Sequence, residues 1–216
     1  MIIIGIVGSP AGGKSTVAGI LERLGCTWIH ADQIAKSVLN EASVQQKLID
    51  YFGANIQASD GVIDRSKLAS AVFGDDDEKR KSLTYLESVI HPETKIRIAQ
   101  EITQAQRKSC PMIALEVPLL FESSWDLVCD EIWCVDATRN RREQWARRRN
   151  WNPEELQKRE SNQLPINIKK RLSNLVIIND GDLEQLNATV TKRWSTLSKG
   201  AIIETSEHCL KLSSTT

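Results

Sequence analysis

The sequence predicts an α/β fold in which a parallel β-sheet is sandwiched between helices. Three observations favour this class: short apolar runs rich in β-branched residues, stretches with helical apolar spacing between them, and a glycine-rich turn after the first run. Apolar runs of this kind are typical of strands buried on both faces of a parallel sheet. The 216 residues suffice for one large domain, or for a core with an inserted subdomain.

The composition is that of a globular protein, with 41% hydrophobic and 26% charged residues. Lys and Arg total 28, as do Asp and Glu, so a globally basic nucleic-acid binder is disfavoured. No apolar run approaches the roughly 18–20 residues of a membrane span, and no signal peptide is evident. The five cysteines lack Cys-x-x-Cys spacing, which indicates reduced thiols. We therefore expect a cytoplasmic protein without a membrane or nucleic-acid partner.

The first thirty residues predict a βαβ unit. The run 2–7 is apolar and β-branched, and it predicts the first strand. Residues with helical spacing follow, and Gly25 is placed to end their helix. These residues are Val17, Ile20, Leu21 and Leu24. A second short apolar run at 26–30 completes the unit.

The rest of the chain continues the alternation of helices and strands. Residues 34–109 are predicted to be mostly helical, with apolar spacing clearest at 44–52 and 83–102. Three further strands are predicted, at 112–117, 131–135 and 175–178. A last amphipathic helix is predicted from the spacing of Leu183, Leu186, Val190, Trp194 and Leu197.

The turn at 8–15 matches the phosphate-binding pattern G-x-x-x-x-G-K-[ST]. Glycines let successive backbone N–H groups turn inward around a phosphate, and the helix that follows aims its N-terminus at the same anion. Lys14 is expected to reach the β- and γ-phosphates of ATP, and the Ser15 hydroxyl to hold Mg²⁺. The predicted nucleotide-binding residues of this turn are Gly8, Ser9, Pro10, Ala11, Gly12, Gly13, Lys14, Ser15 and Thr16.

The phosphate-binding turn leaves three reaction classes open: a small-molecule kinase, a GTPase switch, and a motor or transporter subunit. No Asn-Lys-x-Asp sequence is present to read guanine, which disfavours the GTPase. No Leu-Ser-Gly-Gly-Gln sequence is present, which disfavours the transporter subunit. The small size and the long helical insertion after the second strand favour a kinase that encloses an acceptor.

Two carboxylates fall near the predicted carboxyl edge of the sheet, where ligands of open α/β sheets bind. Asp32 follows the second strand and could take the proton of an acceptor hydroxyl; alternatively it caps a helix that begins near Ile34. Glu116 ends a buried strand and is either a magnesium-side carboxylate or an ion-paired side chain.

Six arginines fall within residues 139–149, with tryptophans among them. They are Arg139, Arg141, Arg142, Arg147, Arg148 and Arg149. Such a run is compatible with a nucleic-acid stripe, a solvated helix face, or a mobile lid whose arginines stabilise a transferring phosphoryl group. The phosphate-binding turn upstream favours the lid, in which only one or two arginines need contact the phosphates.

Four further features follow the turn at 8–15 along the chain. They are Ala31-Asp32-Gln33-Ile34-Ala35, Ile90-His91-Pro92, Pro118-Leu119-Leu120-Phe121-Glu122, and the single residues Gln163 and Lys169. In this order and at these separations, the motifs resemble those of the dephospho-CoA kinase family. The resemblance implies a P-loop kinase fold with a helical acceptor-binding insertion and an arginine-rich lid. It also implies ATP-dependent phosphorylation of the ribose 3′-hydroxyl of dephospho-CoA, the last step of coenzyme A synthesis. The alternatives are a related kinase acting on a nucleoside or another metabolite, and a non-enzymatic ATP- or nucleic-acid-binding module.

By the same resemblance, Asp32 is the general base, Arg148 contacts the phosphates and Asn179 lies beside adenine. The resemblance also assigns the acceptor side to Asp32, Arg65, His91, Pro118, Leu119, Leu120 and Glu122. The lid departs from the family because Gln144 occupies the first of two usual arginine positions, so Arg142 and Arg147 remain alternatives to Arg148. His30 stands where the family usually has an acid.

These assignments divide the chain into four predicted parts. The nucleotide core comprises 1–32, 112–138 and 172–200. The helical acceptor region comprises 33–111, the lid 139–171, and the C-terminal tail 201–216.

Overall fold

Five strands of the described chain form one parallel sheet in the order β2-β3-β1-β4-β5. The computed structural model describes residues 1–74 and 76–213, and side chains as far as residue 199. The strands are β1 (Ile2–Gly8), β2 (Thr27–His30), β3 (Met112–Glu116), β4 (Glu131–Asp136) and β5 (Leu175–Ile178). Each predicted strand is confirmed to within a residue or two, and so is the parallel α/β class.

Helices connect the strands and form a long insertion after β2. They are α1 (Lys14–Arg23), α2 (Ala31–Val38), α3 (Ala42–Phe52), α4 (Arg65–Val72), α5 (Asp77–Arg107), α6 (Arg139–Arg147), α7 (Pro153–Ser161), α8 (Ile166–Leu172) and α9 (Leu183–Ser213). The chain divides into two compact units, one of residues 1–30 and 102–216 and the other of residues 31–101. The sheet lies entirely in the first unit.

The core of the first unit forms because β1 is apolar on both faces. Ile4 and Ile6 are fully buried on one face of the strand, together with Trp133 of β4. Val17 and Leu21 of α1 and Val190 of α9 join the same cluster, so these helices cover that face. The helical spacing that predicted both helices is therefore the spacing of their buried sides.

Gly25 ends α1 as its sequence position predicts. Its φ is +97°, a left-handed value that a glycine adopts without steric cost. The N–H of Gly25 bonds to the Glu22 carbonyl at 2.9 Å, and the N–H of Cys26 bonds to the Leu21 carbonyl at 3.0 Å. These bonds satisfy carbonyls at the end of the helix and turn the chain into β2.

The second unit contains α2, α3, α4 and most of α5, which confirms the predicted helical middle of the chain. Tyr51 of α3 stacks on Tyr85 of α5 with ring centroids 3.7 Å apart. Asp64 caps α4 by accepting hydrogen bonds from the backbone N–H groups of Ser66 and Lys67. The side chain thereby satisfies donors that the first turn of the helix leaves unpaired.

Part of the predicted C-terminal tail is helical, because α9 continues to Ser213. Residues 214–216 of that tail lie outside the described residues. Cys26, Cys110, Cys129 and Cys134 are free thiols, and the side chain of Cys209 lies outside the described part. Within the described chain, none of the helices combines the length and the apolar character needed to cross a membrane.

Candidate active site

Polar residues of three strands, β2, β3 and β4, lie at the carboxyl edge of the sheet. In the strand register, Glu116 at the end of β3 is paired with both His30 of β2 and Ile6 of β1. Gly8 of β1 is paired with Val135 of β4, so Asp136 comes next to the phosphate-binding turn. Parallel strands end at the same edge, where ligands of open α/β sheets bind.

The phosphate loop (Gly8–Ser15) has the backbone that its glycines permit. Gly8 has φ +144° and Gly13 has φ +101°. A Cβ on Gly8 would overlap the carbonyl oxygen of Val135, and one on Gly13 would overlap the side-chain amide of Asn179. The N–H of Ser9 bonds to the Val135 carbonyl at 3.2 Å and fixes the loop to β4. Glycine is therefore needed at both positions.

Lys14 and Ser15 begin α1 directly after this loop. The Lys14 ammonium donates to the carbonyl oxygens of Ser9 at 2.9 Å and Gly8 at 3.3 Å, so its charge lies over the loop. The Ser15 hydroxyl donates to Oε1 of Glu116 at 2.8 Å. The sequence places a cation and a hydroxyl at the helix start, and the fold adds a carboxylate 101 residues away.

Glu116 is the residue whose environment fits a divalent cation. It is only 3% exposed, and its Oε2 has no hydrogen-bond partner within the described part of the chain. The imidazole Nε2 of His30 lies 3.8 Å from Oε2. Buried carboxylate oxygens are normally paired, and Mg²⁺ binds one or two protein oxygens while phosphates and water complete its shell. Ser15 and Glu116 thus fit Mg²⁺.

Asp136 is a buried acid that the sequence analysis did not place in the site. It is 8% exposed and accepts hydrogen bonds from the Ser9 hydroxyl and, at 2.6 Å, from the Lys170 ammonium. Burial by itself raises the pKa of Asp136, but the bonds from Lys170 and Ser9 and the charge of Lys170 outweigh it and hold the pKa below its usual value. The sequence does contain a signal for Asp136, because this acidic residue directly follows the predicted buried strand at 131–135 and so falls at the carboxyl edge of the sheet.

A cavity of about 280 Å³ lies beside the phosphate loop. Its lining residues come from the phosphate loop, the first turn of α1, α6 and the turn after it, and the residue that follows β5. They are Ala11, Gly13, Thr16, Trp145, Arg148, Arg149 and Asn179. Asn179 is 7% exposed and its side-chain amide donates to the Gly12 carbonyl at 3.1 Å. The structure therefore brings Arg148 and Asn179 together with the loop.

Arg149 lines the same cavity as Arg148, whereas three other arginines of 139–149 have different surroundings. Arg142 is half-buried, forms an ion pair with Glu160 and donates from Nε to the Ala137 carbonyl at 3.0 Å. Arg139 forms an ion pair with Glu143 at 2.8 Å. Arg147 lines a different surface depression, together with Trp151 and Leu156. Of the two alternatives to Arg148, one is thus held in an ion pair and the other lies away from the cavity.

The Pro118–Glu122 loop follows β3 and is fixed to the predicted lid. The Lys169 side chain is 1% exposed, and its ammonium donates to the Pro118 carbonyl at 3.2 Å. Glu122 accepts from the N–H of Leu164 at 2.7 Å. Leu119 is 37% exposed, whereas Leu120 is fully buried, so the Leu120 side chain anchors the loop in the core.

The remaining predicted site residues lie in the second unit. Asp32 is exposed in the first turn of α2, which begins at Ala31. The alternative of a cap for a helix beginning near Ile34 is therefore wrong. Arg65 donates to the Lys36 carbonyl at 3.1 Å, and His91 is exposed on α5 before Pro92.

A glycine-lined phosphate loop between a buried strand and a helix, at the carboxyl edge of a parallel sheet, defines the class of P-loop kinases and related nucleotide-binding proteins. Comparison with known proteins identifies the family. The family model for dephospho-CoA kinase matches residues 2–185. The chain belongs to the dephospho-CoA kinase family.

Similar proteins span nearly the whole chain. The dephospho-CoA kinase of Rhodopirellula baltica is 43% identical over 188 residues, which cover 87% of each chain. That of Symbiobacterium thermophilum is 34% identical and covers 90% of this chain and 80% of its own length. A crystal structure of a Thermus thermophilus protein has a TM-score of 0.75 at 31% identity, covering 91% of this chain and 97% of its own. A dephospho-CoA kinase structure from Campylobacter jejuni shares the fold, with a TM-score of 0.69 at 23% identity, and covers 92% of this chain and 98% of its own.

Proposed function

We propose that the chain transfers the γ-phosphoryl group of ATP to the 3′-hydroxyl of the ribose of dephospho-CoA, which gives coenzyme A. The observation that carries the proposal is the phosphate loop with its lysine over the loop carbonyls and its serine bonded to Oε1 of the buried Glu116, whose Oε2 has no hydrogen-bond partner within the described residues. Membership of the dephospho-CoA kinase family supports the choice of acceptor. The zero net charge disfavours a nucleic-acid partner, and we expect the reaction to take place in the cytoplasm.

The phosphate loop binds the triphosphate of ATP. Its backbone N–H groups and the N-terminus of α1 favour an anion, and Lys14 adds a full positive charge at the same place. The acceptor oxygen bonds to the γ-phosphorus as the bond to the β,γ-bridging oxygen breaks, and ADP leaves. Positioning and charge stabilisation supply most of the acceleration in such a transfer, because the protein forms no covalent bond.

Asp32 receives the proton of the attacking hydroxyl. It lies two residues beyond His30, the last residue of β2, and a carboxylate suits a general base in phosphoryl transfer. Asp32 is not the N-cap residue of α2, because the helix begins at Ala31, and its side chain is exposed. Arg65, His91 and the exposed parts of the Pro118–Glu122 loop are proposed to contact the acceptor.

Ser15 and Glu116 would hold Mg²⁺, and Glu116 would provide Oε2, which accepts no hydrogen bond from the described part of the chain. When bound, the cation neutralises charge on the phosphate oxygens. Arg148 is exposed at the cavity beside the loop and is proposed to contact the phosphates there. Asn179 is proposed to contact adenine, and closure of 139–171 would exclude water that could otherwise hydrolyse ATP.

The proposal is tested by measuring ADP release from ATP with dephospho-CoA, with adenosine and with RNA as separate acceptors. We expect ADP release with dephospho-CoA only, and coenzyme A as the second product. Lys14→Ala should abolish it, whereas Lys192→Ala, which removes an exposed lysine of α9, should leave the rate unchanged. Transfer to adenosine with no transfer to dephospho-CoA would refute the proposed acceptor. Full activity of Lys14→Ala would refute the role of the loop.

A further inference from the structure

Two consecutive lysines of α8 bind the two loops that flank the site. Lys169 binds the Pro118–Glu122 loop, and Lys170 binds Asp136, which holds the phosphate loop. We infer that Lys169 and Lys170 are positioning residues that couple the binding of the nucleotide to the binding of the acceptor. The inference rests on the proposed function, because that function assigns the Pro118–Glu122 loop to the acceptor.

The Lys169 contacts fix α8 to the loop after β3. Its ammonium donates to the Pro118 carbonyl at 3.2 Å and to Oε1 of Gln163 at 2.8 Å, and it lies 3.9 Å from the Glu122 carboxylate. The side chain is 1% exposed, so water cannot replace these oxygens. Burial lowers the pKa of Lys169, and the charge of Glu122 opposes that effect. A buried ammonium that loses its partners is strongly destabilising, so α8 and this loop keep their relative position.

The Lys170 contacts fix α8 to the phosphate loop. Its ammonium is 2.6 Å from Oδ2 of Asp136, and Oδ1 of the same carboxylate accepts the Ser9 hydroxyl. The Ser9 carbonyl in turn accepts the Lys14 ammonium at 2.9 Å. A continuous chain of charged and hydrogen-bonded groups therefore leads from α8 to the lysine that binds phosphate.

Successive residues of a helix project about 100° apart, so adjacent lysines reach in different directions from one short element. Helix α8 has seven residues, so a shift of this short helix displaces the backbone from which both lysine side chains extend. A phosphate on the phosphate loop restrains Ser9, and through Asp136 and Lys170 it restrains α8. The helix then holds the Pro118–Glu122 loop in the position that Lys169 defines. Binding at each site should accordingly strengthen binding at the other, because coupling between two ligands is reciprocal.

The experiment measures dissociation constants by calorimetry on the full chain. The affinity for a non-hydrolysable ATP analogue is determined with and without saturating dephospho-CoA, and the reverse titration is also made. We expect the wild-type protein to bind the analogue about 5-fold or more tightly when dephospho-CoA is present, the lower end of the usual range for coupled sites.

Lys170→Gln should reduce this ratio to near 1 while each ligand still binds, and Lys170→Arg should restore most of it. Arg171→Gln is the matched control, since it removes the next positive charge of α8 from an exposed position and should leave the ratio unchanged. Lys169→Met should act like Lys170→Gln. Should Lys169→Met fail to fold, the test rests on Lys170→Gln alone, because Lys170 is only half-buried.

A wild-type ratio of 1, or a ratio that Lys170→Gln leaves intact, overturns the inference. A ratio lost equally in Arg171→Gln also overturns it, because general loss of charge would then be the cause. Failure of dephospho-CoA to bind at all would instead refute the proposed function, so the two failures are distinguishable.

Discussion

The Ser15 hydroxyl donates a hydrogen bond to Oε1 of Glu116 at 2.8 Å, and the other oxygen of that carboxylate has no hydrogen-bond partner among the described residues. Residues 101 positions apart in the sequence thus present a hydroxyl and an unsatisfied anionic oxygen at one point of the sheet edge. This pairing is the reason to expect a divalent cation there.

Glu116→Gln should weaken cation binding because it removes the anionic charge and keeps the shape of the side chain. We expect a loss of affinity of roughly 10–100-fold, the range seen when groups around a metal site are altered. Titration with Mn²⁺ followed by electron paramagnetic resonance measures it without reference to turnover. Glu184→Gln, which changes an exposed acid on α9, is the control. Equal Mn²⁺ affinity in the wild type and Glu116→Gln would remove Glu116 from the cation site.

Asp32→Asn should lower turnover by about 10²–10⁴, the usual contribution of an acid–base group. The amide keeps the size of the side chain but cannot accept the proton. Affinity for an ATP analogue should stay within a few-fold of the wild type, since Asp32 is not part of the phosphate loop. Steady-state kinetics together with calorimetry separate the two quantities. An unchanged turnover would show that the proton goes elsewhere.

Arg148→Ala should impair turnover more than Arg149→Ala, although both residues line the cavity. The guanidinium of Arg149 lies over the Trp151 ring at 5.5 Å, so one face of it is already occupied. Side-by-side measurement of kcat for the two variants tests the assignment. Equal effects would mean that the two arginines contribute alike, or that neither contacts the transferring group.

Asp136→Asn should lower the free energy of unfolding at neutral pH by about 1.5–3 kcal/mol, the value of a hydrogen bond to a charged group. The pKa of Asp136 is held below its ordinary value of 3.8, so the ionised form stabilises the folded state above that pH. The stabilisation is lost as the pH falls through the folded-state pKa. Urea denaturation at pH 7, 5 and 3.5 should therefore show a gap between wild type and variant that shrinks at the lowest pH. A gap independent of pH would contradict this account.

The strands and the phosphate loop could be predicted because each is encoded in a short stretch of sequence. The β-branched run at 2–7 is apolar throughout, as a strand covered on both sides requires. The pattern of Gly8, Gly13 and Lys14 predicts a loop with positive φ at its two glycines, a backbone conformation that few other residue types adopt. Local sequence also predicted helix α1 and the glycine that ends it, Gly25.

The partners of the loop could not be predicted from local sequence, because they come from strands that only the sheet order brings together. Asp136 lies 127 residues from Ser9, and Asn179 lies 167 residues from Gly12. The composition of the arginine run does not distinguish Arg142 from Arg148. In the structure, Arg142 forms an ion pair with Glu160 of α7, whereas Arg148 lines the cavity beside the loop.

The sequence by itself thus determined the fold class and the phosphate loop, since apolar periodicity and backbone freedom are properties of neighbouring residues. Only the tertiary structure decided which acids and lysines serve that loop. The physical reason is that pairing of buried charges depends on distance and burial in space, and strand order and helix packing set both.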